Sequence, residues 1–120
     1  MGKRALITGA GGQDGSLLAE LLLERGYEVS GVVRPGETKR YENLDGVRDR
    51  IDLIPADLLD ERSLAAALER AQPDEVYNLA APSFVPRSWD QPVETAEFAA
   101  VGATALLEAV RSTAPGARVY

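Results

Sequence analysis

The stretch TGAGGQDGS, residues 8–16, decides the fold because it lies between an apolar strand-like run and a leucine-rich helical pattern. Its glycines Gly9, Gly12 and Gly15 recur at every third position. Such glycines let a chain turn sharply out of a strand, approach a diphosphate closely and pack the following helix against the sheet. The helix then directs its free N–H groups and its positive dipole end at the phosphates. The stretch predicts a nucleotide-cofactor site, and the alternative is a turn with a purely structural role.

Strand and helix patterns alternate on both sides of this turn. Runs rich in apolar and β-branched residues predict strands at Arg4–Thr8, Glu28–Val33, Ile51–Ala56 and Glu75–Leu79, and Arg118 to Tyr120 opens a fifth. Because helical segments separate them, the strands should form a parallel sheet in the order 3-2-1-4 with helices on both faces. The predicted fold class is α/β, the first half of a Rossmann-type doubly wound parallel sheet.

Three helices are predicted from apolar periodicity and end signals. The first follows the glycine turn and ends at Arg25-Gly26, and the second begins after Asp60 as its N-cap. Pro92 starts a long third helix that reaches about Ser112. The stripes expected to face inward are Leu17, Leu18, Leu21 and Leu22, then Leu64, Leu68 and Ala71, then Ala96, Ala99 or Ala100, Ala103, Leu107 and Val110.

Length and composition indicate one ordinary globular domain, residues 1–120. The chain is 45% hydrophobic and 27% charged, and its formal net charge of −6 argues against a nucleic-acid or anionic-membrane partner. It contains neither cysteine nor histidine, which excludes disulfides, thiol catalysis, His-dependent triads and His/Cys zinc sites. The start MGKRALIT is too short an apolar run for a signal peptide or a membrane span, so a cytoplasmic location is expected.

The end of the second predicted strand indicates which dinucleotide binds. NAD sites usually place an acid there, about 20 residues after the glycines, to hold the ribose 2′-hydroxyl. This chain has Arg34 at that position, and the nearest following acid is Glu37. A guanidinium suits a 2′-phosphate through charge-assisted, fork-shaped hydrogen bonds. The sequence therefore favours NADP over NAD, and the alternative is an arginine that is simply solvated at a strand end.

Longer stretches carry a resemblance to a known family. GAGGQDGSLLAELLLERGYEV, the pair Asp57-Leu58, and EVYNLAAPS followed by SWDQPVETA resemble the extended short-chain dehydrogenase/reductase family. Gln13-Asp14 within the glycine motif is similar to the branch of nucleotide-sugar 4,6-dehydratases that acts on GDP-mannose. The resemblance implies NADP as cofactor and conversion of GDP-mannose to GDP-4-keto-6-deoxymannose. It also implies homodimers through a bundle formed by the helix from Pro92, and tetramers through the loop after Arg34.

The resemblance also assigns roles to individual residues. The glycine turn would wrap the cofactor diphosphate, Asp57 and Leu58 would border the adenine, and Ser88 would lie close to the sugar nucleotide. Leu79, Ala80 and Ala81, at the end of the fourth strand, would lie along the ribose and nicotinamide, with Ser83 nearby. From the sequence alone, Asp57 could equally be a polar strand terminus. The implied cofactor-binding residues are Gly9, Ala10, Gly11, Gly12, Gln13, Asp14, Gly15, Arg34, Asp57, Leu58, Leu79, Ala80, Ala81 and Ser83.

The chain differs from the family pattern at several positions. The family has a second arginine, glutamine, histidine, tyrosine, and asparagine or aspartate at the positions occupied here by Pro35, Pro82, Phe84, Glu94 and Ala99, respectively. Phe84 and Trp89 are interpreted as loop anchors that pack on the sheet edge.

A catalytic Tyr-x-x-x-Lys pair, which the family requires, does not occur in this sequence. Tyr27, Tyr41 and Tyr77 are followed four positions later by glycine, aspartate and alanine, and Tyr120 is the last residue. No catalytic residue is therefore assigned. We expect the chain to be the cofactor-binding N-terminal part of an enzyme whose catalytic residues lie beyond Tyr120, and to be inactive alone. The alternatives are a noncatalytic NADP-binding module that senses cofactor state, and another nucleotide-sugar epimerase or reductase of the family.

Overall fold

A parallel sheet of five strands forms the centre of the molecule. The computed structural model describes residues 2–34, 41–80 and 85–120. Its strands are β1 (Arg4–Thr8), β2 (Glu28–Val33), β3 (Ile51–Pro55), β4 (Glu75–Asn78) and β5 (Arg118–Val119). Every neighbouring pair is parallel, in the order β3-β2-β1-β4-β5. The predicted α/β class and strand order are confirmed, and the fifth strand continues the sheet next to β4.

Helices cover both faces of the sheet. They are α1 (Gln13–Glu24), α2 (Glu61–Ala71), α3 (Val85–Asp90), α4 (Pro92–Ala96), a π-helical segment (Glu97–Gly102) and α5 (Ala103–Thr113). Two short 3-10 turns, Glu42–Leu44 and Arg48–Arg50, lie in the polar stretch between β2 and β3. In the described parts of the chain, no helix combines the length and apolar character needed to cross a membrane.

The two faces of the sheet support separate apolar clusters because side chains alternate along each strand. On one face, Leu6 and Val76 pack with residues of α2 and α5. On the other face, Ala5 and Ile7 pack with Ala19 and Leu22 of α1 and with Leu44 of the first 3-10 turn. Strands that are covered on both faces read as nearly continuous apolar runs, as RALIT does.

The predicted inner stripe of α1 is wrong in two positions. Leu17 is 58% exposed and Leu21 is 45% exposed, whereas Gly15, Ser16 and Ala19 face the sheet with Leu22. A Cβ on Gly15 would lie 2.1 Å from the Gly9 carbonyl oxygen, so the start of this helix touches backbone. The close approach selects small residues for the buried face and turns two of the leucines outward.

The helical region after Pro92 is not one regular helix. The π-helical segment interrupts it; the buried residue of this segment is Gly102, and those of α5 are Leu106, Ala109 and Val110. Leu107 is 55% exposed, so the predicted stripe is displaced by about one residue, although Val110 is buried as expected. Gly102 packs beside Leu58, and Leu106, Ala109 and Val110 belong to the same buried cluster as Leu58.

The second helix and its cap agree with the sequence. The Asp60 carboxylate accepts hydrogen bonds from the backbone N–H groups of Arg62 and Ser63, as an N-cap residue should. Leu64, Leu68 and Ala71 are all buried against the sheet. The helix ends at Gln72, which adopts a left-handed conformation with φ of 48°.

Candidate dinucleotide-binding site

The predicted cofactor-binding residues of the described chain come together at the carboxyl edge of the sheet. Gly9 to Gly12 form the turn from β1 into α1, and Gln13 to Gly15 form the first turn of that helix. Arg34 follows β2, Asp57 and Leu58 follow β3, and Leu79 and Ala80 follow β4. Open α/β sheets bind ligands at this edge, where the strand order reverses on either side of β1. Ala81 and Ser83 lie outside the described residues.

The glycine turn is held against the end of β4. Gly9 has a φ of +72°, and a Cβ there would lie 2.8 Å from the Ala80 backbone nitrogen. The Leu79 N–H donates to the Thr8 carbonyl oxygen at 3.2 Å, which extends the β1–β4 pairing beyond Asn78. A side chain at Gly9 would therefore be strained and would collide with backbone. Glycine at this position brings the two strand ends into contact.

The start of α1 directs N–H groups at this edge for which the described residues provide no side-chain cap. The first hydrogen bond of the helical pattern runs from the Ser16 N–H to the Gly12 carbonyl oxygen at 3.0 Å. The N–H groups of Gln13, Asp14 and Gly15 precede it, and Gly12 at the N-cap has no side chain that could accept from them. N–H groups in this position, together with the helix dipole, bind anions such as a diphosphate.

Ala10 is buried and packs against Gly31 of β2, whose added Cβ would lie 2.7 Å from the Ala10 Cβ. This contact sets the distance between the glycine turn and β2.

The glycine turn is bordered on its other side by a segment that was not predicted to be part of the site. The Tyr41 ring lies over Gly11, where an added Cβ would meet its Cδ1 at 2.2 Å. The Asn43 Nδ2 donates to the Gly11 carbonyl oxygen at 3.3 Å.

Tyr41 and Asn43 reach the turn only because the chain between β2 and β3 returns to it, and local sequence carries no signal for that return. Both are therefore site residues that the sequence reasoning missed. They border the turn on the side away from β4.

Asp57 and Leu58 lie in an ordered turn after β3. The Asp57 Oδ1 accepts from the Leu59 N–H at 2.9 Å, and the Asp57 N–H donates to the Ser63 Oγ at 2.9 Å. Leu58 is buried against Gly102. This arrangement gives Asp57 a structural role in the turn after β3, and it holds the pair at the carboxyl edge of the sheet.

Arg34 lies on an aromatic ring. Its Cζ is 4.9 Å from the centroid of Phe98, which belongs to the π-helical segment. A guanidinium over an aromatic face is a favourable cation–π arrangement. Arg34 was predicted from the sequence as a cofactor-binding residue, whereas Phe98 was not. Ser88, the predicted substrate-side residue, lies in α3 and is half-buried. Of the two predicted loop anchors, Trp89 is 83% exposed and does not pack on the sheet, and Phe84 lies outside the described residues.

Shifted pKa values in the described residues occur away from the glycine turn. Hydrogen bonds from Tyr77 and Tyr27 lower the pKa of Glu75, which is buried near the amino end of β4. Burial and the bond to Glu75 raise the pKa of Tyr77 to about 12. On α5, the Arg111 guanidinium lowers the pKa of Glu108. What the described part of the carboxyl edge offers a ligand is amide donors and one guanidinium, a set suited to binding phosphates.

A separate cavity of about 610 Å³ opens at the amino edge, near the starts of β2 and β3. Its lining includes Arg4 and Arg70, which form ion pairs with Glu28 and Asp52. The lining carries as many carboxylates (Glu28, Asp49 and Asp52) as guanidinium groups (Arg4, Arg50 and Arg70), which makes it a poor match for a phosphate. The amide donors and the guanidinium at the carboxyl edge are better suited to a dinucleotide than the mixed charges of this cavity are.

Comparison with known proteins identifies relatives of the whole chain. The family model described as GDP-mannose 4,6 dehydratase matches residues 6–120. GDP-mannose 4,6-dehydratase of Vibrio cholerae is 44% identical over 118 residues, which is 92% of this chain and 32% of the relative. GDP-mannose 4,6 dehydratase 1 of Arabidopsis thaliana is 46% identical over 118 residues, 92% of this chain and 33% of the relative. The chain thus spans about a third of the length of these curated relatives.

Solved structures share the fold. UDP-glucose 4-epimerase of Thermus thermophilus, in complex with NAD, superposes with a TM-score of 0.81 at 34% identity, covering 92% of this chain and 34% of that one. UDP-glucose 4-epimerase from Brucella ovis, also in complex with NAD, gives a TM-score of 0.82 at 27% identity, covering 98% of this chain and 34% of that one. With the family model matching nearly the entire sequence, this chain belongs to the GDP-mannose 4,6-dehydratase family.

Proposed function

We propose that this chain is a dinucleotide-binding domain, residues 1–120, that binds NADP in preference to NAD as part of a GDP-mannose 4,6-dehydratase. The observation that carries the proposal is the geometry of the glycine turn. Gly9 contacts the end of β4, and α1 begins with N–H groups that no residue caps through its side chain among those the structure describes. This is a cradle that added Cβ atoms would fill, and a diphosphate fits its chemistry.

Each part of the edge has a role in the proposal. The N–H groups of Gln13, Asp14 and Gly15 bind the diphosphate, and the turn after β3 borders the adenine. Arg34 contributes its guanidinium to the 2′-phosphate, and Leu79 and Ala80 lie along the ribose on the way to the nicotinamide. When bound, the nicotinamide supplies reversible hydride transfer. The residues of this chain bind and orient the dinucleotide at the edge of the sheet.

The preference for NADP depends on Arg34, which lies directly after β2 on the cofactor edge. A 2′-phosphate offers charged acceptors that NAD lacks, and charge-assisted hydrogen bonds are the stronger class. The solved relatives named above are complexes with NAD, so the preference for NADP goes beyond what those structures support. Calorimetric titration of the 120-residue chain with each dinucleotide tests it, and we expect NADP to bind more tightly by about tenfold or more.

Two variants separate the charge of Arg34 from charge in general. Arg34→Ala should reduce NADP affinity to the level of NAD. Arg25→Ala removes an exposed arginine at the other end of α1, a 12-residue helix, and should leave both affinities unchanged. Equal affinity for NAD and NADP in the unchanged chain would show that the NADP assignment is wrong, even if the diphosphate site is real.

The proposed reaction of the whole enzyme is dehydration of GDP-mannose to GDP-4-keto-6-deoxymannose, a lyase reaction, in the cytoplasm. It is supported by the family match and by relatives named for that activity. We expect the 120-residue chain alone to bind NADP without turning over GDP-mannose, because its sequence contains no Tyr-x-x-x-Lys pair. Incubation with GDP-mannose and NADP, followed by chromatography of the nucleotide sugars, tests this. Formation of the 4-keto product by the chain alone would contradict it.

A homodimer through the helical region from Pro92 is also part of the proposal. Val93, Val101 and Leu107 in this region are 71%, 56% and 55% exposed, which is unusual for large aliphatic side chains on one helical region. A second copy of the chain would cover them. Sedimentation velocity should show a dimer that Leu107→Asp weakens, and a monomer at all concentrations would contradict this part.

A further inference from the structure

The contact between Arg34 and Phe98 joins two elements that are distant in sequence. Arg34 follows the last residue of β2, and Phe98 is the second residue of the π-helical segment. The Arg34 Cζ lies 4.9 Å from the Phe98 ring centroid. A guanidinium is planar and carries five N–H donors around its edge. A guanidinium that lies over a ring can keep N–H donors at its edge available for a ligand.

The Phe98 ring is held in place by its surroundings. Phe98 is half-buried and packs against the apolar cluster that includes Leu58 and Leu106. Four residues later, Gly102 is buried beside Leu58, where an added Cβ would be in van der Waals contact with the Leu58 Cβ. The wide turn of the π-helical segment lies between these two contacts, and such turns often occur at functional positions in helices. The platform under Arg34 is thus fixed to the core.

Arg34 itself is exposed, and its side chain has several rotatable bonds. A free arginine at a strand end samples many rotamers, and fixing them on binding a phosphate costs affinity. Contact with a fixed aromatic face narrows that range before the ligand arrives. The same contact brings the positive charge to the carboxyl edge between the end of β2 and the Leu58 turn, where the proposed adenosine portion would lie.

We propose that Phe98 is a positioning residue for Arg34, and that it raises the selectivity of the site for a dinucleotide carrying an additional phosphate monoester. The proposal rests on the proposed function, because it takes the dinucleotide to lie at the carboxyl edge. Phe98 acts through Arg34 and not on the diphosphate. Its loss should therefore affect NADP binding, whereas NAD binding should be unchanged.

The test compares three substitutions at one position by calorimetric titration of the 120-residue chain with NADP and with NAD. Phe98→Leu keeps an apolar side chain against the core and removes the aromatic face, so NADP should bind about three- to tenfold more weakly with NAD unchanged. Phe98→Tyr keeps the ring and should restore NADP binding to within about twofold of the original chain. Phe98→Met also removes the ring and keeps an apolar side chain, and it replaces the leucine variant in the test if circular dichroism shows that the leucine variant does not fold.

A double variant shows whether Phe98 acts through Arg34. In the Arg34→Ala background, Phe98→Leu should have no further effect on NADP affinity, because the guanidinium that it positions is gone. If Phe98→Leu lowers NADP affinity by the same factor in both backgrounds, the ring acts independently of Arg34 and the proposal is overturned.

The remaining outcomes are also decisive. Equal losses for NAD and NADP in a folded Phe98→Leu chain would assign the ring a merely structural role, and an unchanged NADP affinity would show that the ring is not used. Failure of the original chain to bind either dinucleotide would instead refute the proposed function, and this inference with it. Selective NADP binding by the original chain together with an unaffected leucine variant would refute only the inference.

Discussion

Thr8 and Asn78 are joined side chain to side chain across β1 and β4, with the Thr8 Oγ1 donating to the Asn78 Oδ1 at 2.6 Å. The same hydroxyl oxygen accepts from the Ala80 backbone N–H at 3.2 Å. Thr8 is fully buried, and it is the last residue before the glycine turn. A single hydroxyl group thereby connects the start of the glycine turn to the end of the fourth strand.

Removing this hydroxyl should destabilise the carboxyl edge. Thr8→Val keeps the shape and leaves the Asn78 oxygen and the Ala80 N–H without their partner, at a cost of about 1–3 kcal/mol in the free energy of unfolding. Thr8→Ser retains the hydroxyl and should lose less. Urea unfolding of the three chains measures the difference, and a valine variant as stable as the original chain would show that the two bonds contribute nothing net.

Replacing Gly9 should affect both folding and binding. In Gly9→Ala the positive φ costs about 1–3 kcal/mol, and the new methyl collides with the backbone of Ala80. We expect a chain of reduced stability whose NADP affinity falls by more than about tenfold, because the turn can no longer lie against β4. Gly46→Ala is the control, since an added Cβ there has no heavy atom within 4 Å. Wild-type NADP affinity in a folded Gly9→Ala chain would argue against the cradle.

The corrected orientation of α5 gives a pair of neighbouring substitutions with opposite consequences. Leu106 is 1% exposed and Leu107 is 55% exposed. Leu106→Ala should lower the free energy of unfolding by about 2–5 kcal/mol, because it leaves a cavity between α5 and the sheet. Leu107→Ala should change it by no more than about 0.5 kcal/mol at dilute concentration. Denaturant unfolding at low protein concentration measures both, and the reverse order would restore the stripe inferred from the sequence.

Glu75 should stabilise the fold only above acidic pH. Hydrogen bonds from Tyr77 and Tyr27 lower its pKa in the folded chain below the ordinary value of 4.5. Its contribution is therefore complete above that value and disappears as the pH falls through the lower, folded pKa. Glu75→Gln should cost about 1–3 kcal/mol at pH 7 and less at pH 3, which lies below the ordinary pKa of the carboxyl. Thermal unfolding at the two pH values checks this.

Glu69→Gln is the matched control for that measurement, because Glu69 is an exposed glutamate of α2. It should give a small difference at both pH values. A loss on Glu75→Gln that does not change between pH 7 and pH 3 would show that the charge of the carboxylate is not what the tyrosine bonds stabilise.

The sequence was sufficient for the backbone of the nucleotide-binding turn and insufficient for what packs around it. β1 and β2 have the predicted bounds, since a buried strand bordered by glycine or proline is a local signal. The inner face of α1 was partly mispredicted because leucine is usually buried, whereas the contact of Gly15 with the Gly9 carbonyl favours small residues near the start of the helix. The phase of α5 likewise depends on tertiary packing, because Leu106, Ala109 and Val110 join a buried cluster with residues of α2 that are distant in the sequence.

The candidate site divides in the same way. The glycines and Arg34 carry signals within a few residues of a strand end, so they could be assigned from spacing. Tyr41, Asn43 and Phe98 join the site through contacts with residues that are distant in the sequence, and spacing carries no information on those contacts. Their positions depend on how whole elements pack, which only the tertiary structure shows.

The most direct test of the central claim is a two-dimensional 15N–1H NMR titration of the labelled 120-residue chain with NADP. If the diphosphate binds at the start of α1, the largest shifts will be at the backbone amides of Gly12 to Gly15, with further shifts at Arg34 and Ala80. Unchanged amides in that turn, or shifts confined to the cavity at the amino edge near Arg50 and Ile51, would contradict the account.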